Sequence, residues 1–397
     1  MIPDGWTEST VGKSYKICNN LRFPINLEDR KGMKGIYPYY GPTGILNFID
    51  EYRLDGEYAL IGEDGDHFLK HNNKSMTLLV NGKINVNNHA HIIQGDINSR
   101  TDWFYYYFMN RPLTPYLTRQ GAGRYKLTKS ALENIPILIP PLLEQCKIAE
   151  MLGVWDESTD LLERLIGRVR SRKQGLMQQL LTGKKRFKEF EGSDNRQKTL
   201  YGSLPSDWKY IPIADIAKEY STKNKEANDL TVLSCSKYKG LVNSLEYFGK
   251  QVFSEDTSTY KIVKYGMFAY ATNHIDEGSI GYQNLCDKAL ISPMYTVFKT
   301  DSNRVHDLFL YSVLKTEYYR QIFSINTSAS VERRGSLRWK DFSKIKVPLP
   351  PFPEQERIAA VLSAADEEIS TLEKQLAAYK QQKLGLMQQL LTGRIRI

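Results

Sequence analysis

The sequence is poor in cysteine and in long apolar runs, and each shortage excludes a class of protein. Its four cysteines are scattered, and no pair has the spacing of metal ligands: Cys18, Cys146, Cys235 and Cys286. We therefore expect reduced thiols in a cytoplasmic protein. No apolar stretch reaches the ~18 residues that a membrane span needs. The first residues also lack the basic-then-apolar order of a secretory signal.

The sequence also lacks a catalytic motif. Gly12-Lys13-Ser14 resembles the end of a phosphate-binding loop, but Thr7 stands where that loop requires glycine. His89 and His91 alternate on a predicted strand, which is only a weak indication of a metal site. We therefore predict no catalytic residue, no metal site and no cofactor in this chain.

What the chain does contain is one unit used twice. Residues 135–187 recur as residues 345–397 with a constant offset of 210, and 23 of the 53 aligned pairs are identical. A weaker echo marks where each unit begins, because Pro3-Asp4-Gly5-Trp6 returns as Pro205-Ser206-Asp207-Trp208. Each unit therefore has a dissimilar front followed by a closely similar rear.

Each repeated rear predicts one long helix. A Pro-Pro pair ends the element before it, and Thr-Gly suits its C-terminal cap. Between them, seam residues recur at alternating steps of four and three, as in a coiled coil. Lys173 and Lys383 interrupt the seams at the same place. The seams are Ile148, Leu152, Trp155, Thr159, Leu162, Ile166, Val169, Lys173, Leu176 and Leu180, and Ile358, Leu362, Ala365, Ile369, Leu372, Leu376, Tyr379, Lys383, Leu386 and Leu390.

The two apolar stripes predict that the helices pair. A helix of ~57 Å with one apolar stripe must bury that stripe against a partner. Helix 1 leaves the first front and reaches the second, so helix 2 has to return. We expect an antiparallel pair that closes the chain into a pseudo-twofold circular arrangement. The alternative is that each helix pairs with another subunit.

Both fronts carry strand patterns followed by a helix, which predicts mixed α/β domains. In the first, Asn81-Gly82 predicts a hairpin turn between two strands. The predicted strands there are Tyr58–Ile61, Met76–Val80 and Lys83–Val86, before a helix at Trp103–Phe108. In the second front they are Thr231–Ser234, Tyr260–Val263 and Met294–Phe298, before a helix at Leu308–Phe323.

The distribution of charge favours a polyanionic partner. The net charge is +9, and residues 164–188 hold nine Lys or Arg without one acid, as either a solvated helix face or a nucleic-acid contact. A basic loop rich in small residues follows each front's helix, with Gly121-Ala-Gly123 in the first and Ser328-Ala-Ser330 in the second. Two such loops in equivalent positions predict contacts with DNA. Their basic residues include Arg119, Arg124 and Lys126, and Arg333, Arg334 and Arg338.

In combination, these motifs resemble the DNA specificity subunit of type I restriction-modification systems. The resemblance covers the whole chain. It rests on Pro-Pro-x-x-Glu-Gln-x-x-Ile-Ala at 140–149 and 350–359, on Gly-Leu-Met-Gln-Gln-Leu-Leu-Thr-Gly at 175–183 and 385–393, and on Tyr37-Pro-Tyr-Tyr-Gly41, Ile61-Gly-Glu-Asp-Gly65 and Asn87-Asn-His89.

The resemblance implies an α+β fold with two target recognition domains joined by two long antiparallel coiled-coil helices. The expected boundaries are domain 1 at 1–143, helix 1 at 144–183, a linker at 184–204, domain 2 at 205–353 and helix 2 at 354–393. Each domain would read half of a bipartite double-stranded DNA target. Besides the basic residues above, the candidate contacts are Tyr39, Tyr40, Lys237, Lys239 and Asn273.

The resemblance also implies a division of labour. This subunit would need no cofactor, and it would direct adenine methylation or restriction by its partners. Those would be modification subunits, two in number, that use S-adenosylmethionine, and restriction subunits that use ATP and magnesium. Two other interpretations remain open from the residues alone: a two-headed scaffold that never binds DNA, and a repeat nuclease with an unrecognised active site.

The length of the helices predicts the length of the unread DNA between the half-sites. Four residues inserted after Val169 keep the apolar stripe nearly in phase and lengthen the helix by about 6 Å. Because B-form DNA rises about 3.4 Å per base pair, the spacer between methylated half-sites should grow by one or two base pairs. Methylome sequencing measures this. A two-residue insertion rotates the stripe by about 200° and should reduce stability instead. An unchanged spacer in an active four-residue variant contradicts the prediction.

Overall fold

The chain divides into two compact units, and each contains parts of both long helices. Unit 1 comprises Met1–Arg164 and Lys374–Ile397, and unit 2 comprises Leu165–Glu373. Each unit therefore takes one piece of its frame from the other half of the sequence. The computed structural model describes residues 2–120, 124–192, 195–225, 229–330 and 333–397.

Unit 1 is built on a mixed sheet. Its strands are β1 (Thr7–Thr10), β2 (Lys16–Ile17), β3 (Tyr37–Gly41), β4 (Gly44–Ile49), β5 (Leu54–Gly62), β6 (Thr77–Val86), β7 (Ala90–Gln94), β8 (Thr118–Gln120), β9 (Arg124–Lys126) and β10 (Pro136–Ile139). The largest sheet has the order β2-β7-β5-β6-β3-β4, with only the β3–β6 pair parallel. Its short helices are α1 (Val11–Ser14), α2 (Leu27–Gly32), α3 (Thr101–Met109) and α4 (Lys129–Glu133).

The hairpin predicted at Asn81-Gly82 is wrong, because β6 runs unbroken through it. Strand β6 pairs with β5 in one register from Leu54 opposite Ile84 to Ile61 opposite Thr77. Gly82, at φ +83°, lies directly opposite Gly56, at φ +146°. Two facing glycines allow both strands to bend together, so the left-handed backbone that a turn would use forms a kink within the sheet.

Unit 2 carries two four-stranded sheets among its described residues. Its strands are β11 (Arg196–Thr199), β12 (Gly202–Pro205), β13 (Lys209–Pro212), β14 (Ala217–Glu219), β15 (Val232–Ser236), β16 (Gly240–Asn243), β17 (Lys261–Lys264), β18 (Phe268–Ala271), β19 (Ile280–Tyr282), β20 (Lys288–Ile291), β21 (Tyr295–Thr300), β22 (Ser328–Ser330), β23 (Arg333–Ser336) and β24 (Lys346–Leu349). The orders are β14-β21-β18-β19 and β16-β15-β20-β17. The predicted linker at 184–204 includes β11, which pairs with β12.

The single helix predicted at Leu308–Phe323 is two helices. The short helices of unit 2 are α6 (Ser244–Phe248), α7 (Asp307–Leu314), α8 (Glu317–Asn326) and α9 (Trp339–Phe342). The hydroxyl of Thr316 accepts a hydrogen bond from the Tyr319 amide and so begins α8. Threonine in an extended conformation is a common N-cap, and here it separates two helices that share one apolar pattern.

The two long helices predicted from the repeat are confirmed. They are α5 (Leu142–Leu180) and α10 (Phe352–Leu390), each of 39 residues. Gly183 and Gly393 follow them with φ values of +60° and +67°. These are the left-handed conformations expected of C-terminal caps.

The two helices pair antiparallel within each unit, and this explains the lysine in each seam. In unit 1, the Lys383 ammonium binds the Asp156 carboxylate, which also accepts a hydrogen bond from the Tyr106 hydroxyl at 2.9 Å. In unit 2, Lys173 binds Asp366 at 2.5 Å. Since Lys383 is the repeat of Lys173 and Asp366 the repeat of Asp156, one cross-helix pair occurs twice. The aspartate and the lysine that are identical in both copies of the repeat are therefore the two partners of one ion pair.

The acid-free basic segment at 164–188 has its counter-charges on the other helix. Within unit 2, Arg170 binds Glu373 at 2.5 Å, and Arg172 binds Glu368. The equivalent contact in unit 1 joins Lys380 to Glu163 at 2.5 Å. With Lys173 and Arg186, four of the nine basic residues are therefore paired with acids of the other helix, and the run carries less weight as an indication of nucleic-acid binding.

A buried glutamate begins each long helix, and an arginine from the end of the other helix clamps it. In unit 2, Arg186 Nε and Nη2 donate to the two oxygens of Glu354 at 2.9 and 2.7 Å, and Trp208 Nε1 donates to Oε2 at 3.0 Å. In unit 1, Arg396 clamps Glu144 at 2.6 and 2.8 Å. Trp6 takes the place of Trp208 there, with Nε1 3.1 Å from Glu144 Oε2.

The glutamine next to each glutamate ties the helix start to the front domain. The Gln145 oxygen accepts from the Arg100 amide at 2.9 Å, while its Nε2 donates to Asn98 and Pro140 carbonyls. Gln355 makes the equivalent three bonds, to the His306 amide and to the carbonyls of Arg304 and Pro350. The Glu-Gln dipeptide of the repeat is therefore a joint between helix and domain.

Replacing Arg186 with methionine should destabilise unit 2 strongly. Glu354 is 1% exposed, and removing one partner of a buried ion pair costs about 3–5 kcal/mol. Urea unfolding of the variant measures the loss. The matched control is Arg357→Met, which breaks the exposed Arg357–Glu189 pair at 3.7 Å and should change stability by less than about 1 kcal/mol. Equal effects of the two variants would contradict a clamping role for Arg186.

Candidate nucleic-acid interface

The basic loop predicted in the first front contains a short hairpin that presents arginine to solvent. Strand β8 pairs with β9, with Arg119 opposite Tyr125. The Arg119 guanidinium lies over the Tyr125 ring at 4.9 Å and donates to its hydroxyl at 2.7 Å. Arg119 and Arg124 are both exposed. The Gly121-Ala-Gly123 segment of the prediction lies outside the described residues.

The base of this hairpin is fixed to the central sheet. The buried Leu127 follows β9, and its amide donates to the carbonyl of Glu63, the residue after β5, at 2.7 Å. The Gly65 amide donates back to the Tyr125 carbonyl at 3.0 Å. The exposed arginines therefore stand on a rigid base.

A buried polar network centred on His91 supports that base. His91 Nε2 lies 2.8 Å from the Leu127 carbonyl, so it must donate, while Nδ1 faces the Asn19 amide and Arg22 Nη2 at 2.9 Å each and must accept. These partners select the neutral Nε2–H tautomer. Burial lowers the pKa of His91, although its bond to the Leu127 carbonyl opposes this, and the charge of Arg22 lowers it further.

Three predicted contacts of unit 1 are less available than Arg119 and Arg124. Lys126 is half-buried and binds Glu63 at 3.3 Å, and Glu63 also binds Arg22 at 2.7 Å. Tyr39 is only 1% exposed; its hydroxyl donates to the Phe23 carbonyl and accepts from the Ile25 amide. The sequence prediction for Tyr39 is therefore corrected, because its side chain belongs to the core. Tyr40 is half-buried against the sheet core.

The second basic loop contains a hairpin in the equivalent place. Strand β22 pairs with β23 through Ser328 opposite Ser336 and Ser330 opposite Arg333. Arg333 and Arg334 lie in β23, but their side chains are outside what the structure describes. Arg338 is exposed and lies at the N-terminus of α9.

The two hairpins share the same kind of base. Leu337 is fully buried, and its amide donates to the Thr272 carbonyl at 2.8 Å. Leu337 is the repeat of Leu127, and Thr272 follows β18 as Glu63 follows β5. Each unit therefore mounts a basic hairpin on the end of a central strand through a buried leucine.

The remaining candidates of unit 2 lie in the turn after β18 and at the tip between β15 and β16. Asn273 follows Thr272 in a turn and is half-exposed. Lys237 and Lys239 occupy the tip between β15 and β16, and Lys239 is exposed. The Lys315 ammonium joins these two regions, since it donates to the carbonyls of Lys237 and Gly278 at 2.8 and 2.9 Å.

Sequence reasoning missed the residues that hold these surfaces in place. The sequence indicates His91 only as a weak metal ligand, and it indicates Lys315 only as one residue of a predicted helix. Neither has a local signal in the sequence, because its partners lie 36 and 78 residues away. The strong exposure of Tyr238, at 82%, is equally invisible from composition.

The described residues hold no cluster of side chains suited to a metal ion. No group of three or more His, Cys, Asp or Glu among them could hold a metal ion. His89, the other predicted histidine, binds Asp64 at 2.9 Å on the surface. No helix within the described ranges is long and apolar enough to cross a membrane.

A family comparison identifies the architecture. The profile of the type I restriction modification DNA specificity domain matches residues 3–170 and 205–379. Each match covers one front and most of the long helix that follows it. The chain therefore contains two copies of this domain.

Individual relatives extend over nearly the whole chain. A Haemophilus influenzae protein described as a putative type I restriction enzyme specificity subunit is 28% identical over 87% of this chain and 84% of its own. The MjaVIII specificity subunit of Methanocaldococcus jannaschii is 23% identical over 100% and 94%. The crystal structure of a type I S subunit from M. genitalium superposes with a TM-score of 0.65, at 15% identity, over 97% and 96%. This last likeness shows the shared fold.

The His91 network predicts that acid weakens unit 1. Because the folded protein holds the pKa of His91 below the ordinary 6.5, the unfolded chain takes up the proton first, and stability falls as pH drops below about 6.5. Urea unfolding between about pH 7 and 5 should lose more stability in the wild type than in His91→Gln, since glutamine cannot be protonated. His274→Gln, at a surface histidine of unit 2, is the control. Parallel pH profiles of wild type and His91→Gln would refute the assignment.

Proposed function

The chain belongs to the type I restriction-modification DNA specificity family, and we propose that each of its units reads one half of a bipartite DNA target. The observation that supports this most directly is the equivalent basic hairpin in each unit. Both hairpins are fixed by a buried leucine to the end of a central strand. Two domains that read different DNA sequences need the same attachment of the hairpin but different residues around it, and the two units have this arrangement.

Different residues would position each domain on the DNA and read its base sequence. Exposed arginines such as Arg119 and Arg124 would bind phosphates, which fixes the position of a domain without carrying sequence information. Side chains at the tips and turns would then read base edges. Lysine and arginine suit guanine, and asparagine suits adenine, so Lys239 and Asn273 are candidate readers. The fronts differ in sequence, so the half-sites should differ as well.

The chemistry would belong to partner proteins. We assign no catalytic step to this chain, which would act as the non-catalytic subunit of a methyltransferase and restriction complex. Two modification subunits using S-adenosylmethionine would methylate adenine, and restriction subunits would use ATP and magnesium to translocate and cleave. We propose that these partners bind the long helices, because each helix contributes residues to both units.

The residues alone left open a two-headed scaffold that never binds DNA, and the match to the DNA specificity family does not support it. Its basic hairpins would then be ordinary solvated surface. The two functions differ in one measurable respect, which is the salt dependence of binding to duplex DNA. A scaffold would show no salt-dependent binding to duplex DNA, and neutralising the arginines of a hairpin would change nothing in that measurement.

The full chain should bind duplex DNA with an affinity that falls steeply as salt rises. In the Arg119→Gln/Arg124→Gln double variant, the slope of log affinity against log salt should flatten by about 0.9 for each phosphate that the hairpin no longer neutralises. The matched control, Lys13→Gln/Lys147→Gln, removes two exposed charges of unit 1 outside the hairpin. Electrophoretic shifts over a salt series measure both. Absence of DNA binding by the wild type would favour the scaffold, and equal slopes in all three proteins would exclude this hairpin.

A further inference from the structure

We propose that Lys237-Tyr238-Lys239, termed here the finger, contacts DNA, with Tyr238 as a specificity-determining residue and Lys315 as the residue that positions it. The finger joins β15 to β16 in unit 2. This inference rests on the proposed function. It goes beyond that function by naming a reading element and the half-buried lysine that holds it.

Tyr238 is unusually exposed for a large aromatic side chain. Its side chain is 82% exposed, whereas Tyr270 and Tyr319 of the same unit are fully buried. Lysines flank it on both sides; the Lys237 ammonium lies 5.6 Å from its ring, and Lys239 lies over Tyr247 at 5.8 Å. One cation beside the exposed Tyr238 ring and a second over the neighbouring Tyr247 ring suit a duplex edge, where phosphates meet the lysines and the Tyr238 ring and hydroxyl reach base edges.

A half-buried ammonium fixes the start of the finger. Lys315 follows α7, and its Nζ donates to the carbonyl oxygens of Lys237 and Gly278 at 2.8 and 2.9 Å. Burial lowers the pKa of Lys315, with the neighbouring Cys235 thiol acting in the opposite direction. A cation placed in a poorly hydrated position is costly unless its hydrogen bonds are made, and here two of them are made to the backbone of loops. The side chain thus joins the finger to the turn before β19.

Packing fixes the other end of the finger. Gly240 has φ +70°, and a Cβ added there would lie 2.4 Å from the Tyr311 hydroxyl. The Lys239 amide donates to Ser236 Oγ at 3.4 Å. Tyr311 and Lys315 are four residues apart, about one helical turn, so one face of α7 and its C-terminal cap hold both ends of the finger.

The finger is therefore already ordered before binding, and Lys315 links it to the turn that follows the candidate residue Asn273. Gly278, which shares the Lys315 ammonium, lies five residues after Asn273, and Thr272 carries the base of the basic hairpin. Binding by a loop that is already ordered avoids the conformational entropy that a flexible loop gives up. A reading element is useful only if its geometry is fixed, because base discrimination depends on the direction of each contact.

The test of the finger uses the full chain and random-sequence duplex DNA, with sequencing of the bound fraction. Tyr238→Ala should lower affinity by about tenfold, the scale of one good base contact, and relax base preference in one half-site only. Its salt slope should not change. Lys239→Gln should flatten the slope by about 0.9 and leave base preference intact. Tyr265→Ala, at another exposed tyrosine of unit 2 that follows a lysine, is the control and should change neither.

The test of Lys315 is a double-mutant cycle. Lys315→Met should relax the same base positions as Tyr238→Ala, and adding it to Tyr238→Ala should produce little further loss, because both changes remove one contact. Lys315→Arg, which keeps a cation with several donors, should restore the preference in part. A merely structural lysine would instead lower affinity additively and shift preferences at no particular position.

The outcomes separate the inference from the proposed function. If the wild type selects no sequence, the proposed function fails. If the wild type selects a bipartite sequence but Tyr238→Ala selects the same one with unchanged affinity, the finger is overturned and the function stands. If Tyr238→Ala relaxes one half-site and Lys315→Met adds to it fully, Lys315 is not the positioning residue.

Discussion

The ion pair between Arg186 and the buried Glu354, with its copy between Arg396 and Glu144, is the contact on which the rest of this structure depends. It joins the end of one long helix to the start of the other. The glutamine beside each glutamate then binds backbone groups of the front domain. Because both glutamates are buried and their hydrogen bonds are directional, the helix start can occupy only one position. The domain mounted on it is positioned by the same bonds.

Antiparallel pairing also explains why the two copies of the repeat carry matching charges. In these ion pairs, each residue of one helix binds a residue from the other copy of the repeat. Asp156 therefore binds Lys383, and Asp366 binds Lys173. Changing one position would leave its partner in a seam without a counter-ion, and a lone charge there is more costly than a matched pair. For the same reason, four of the nine residues in the basic run that suggested nucleic acid are paired with acids of the other helix.

The two surfaces proposed to contact DNA are attached to their units at a small number of equivalent positions. Leu127 and Leu337 fix the two basic hairpins by the same backbone bond, although the strands that receive them belong to differently arranged sheets. Beyond that bond the units use unrelated supports. Unit 1 relies on a neutral histidine between Arg22 and Leu127, and unit 2 relies on a half-buried lysine between two carbonyls. The surfaces proposed to contact DNA can therefore differ between the units while the backbone bond that holds each hairpin stays the same.

Features that are periodic or local could be predicted from the residues alone: two long helices, their glycine caps, the seam, most strands, and the family. They follow from short-range backbone preferences and from a pattern that repeats every seven residues. The turn predicted at Asn81-Gly82 is wrong, because cross-strand pairing with Gly56 overrides a local preference. Tyr39 is a core residue rather than a surface contact, and Tyr238 and Lys315 have no signal in the sequence. Which tyrosine is buried and which lysine is a support follow from the folded chain, since burial and hydrogen-bond partners depend on residues far apart in sequence.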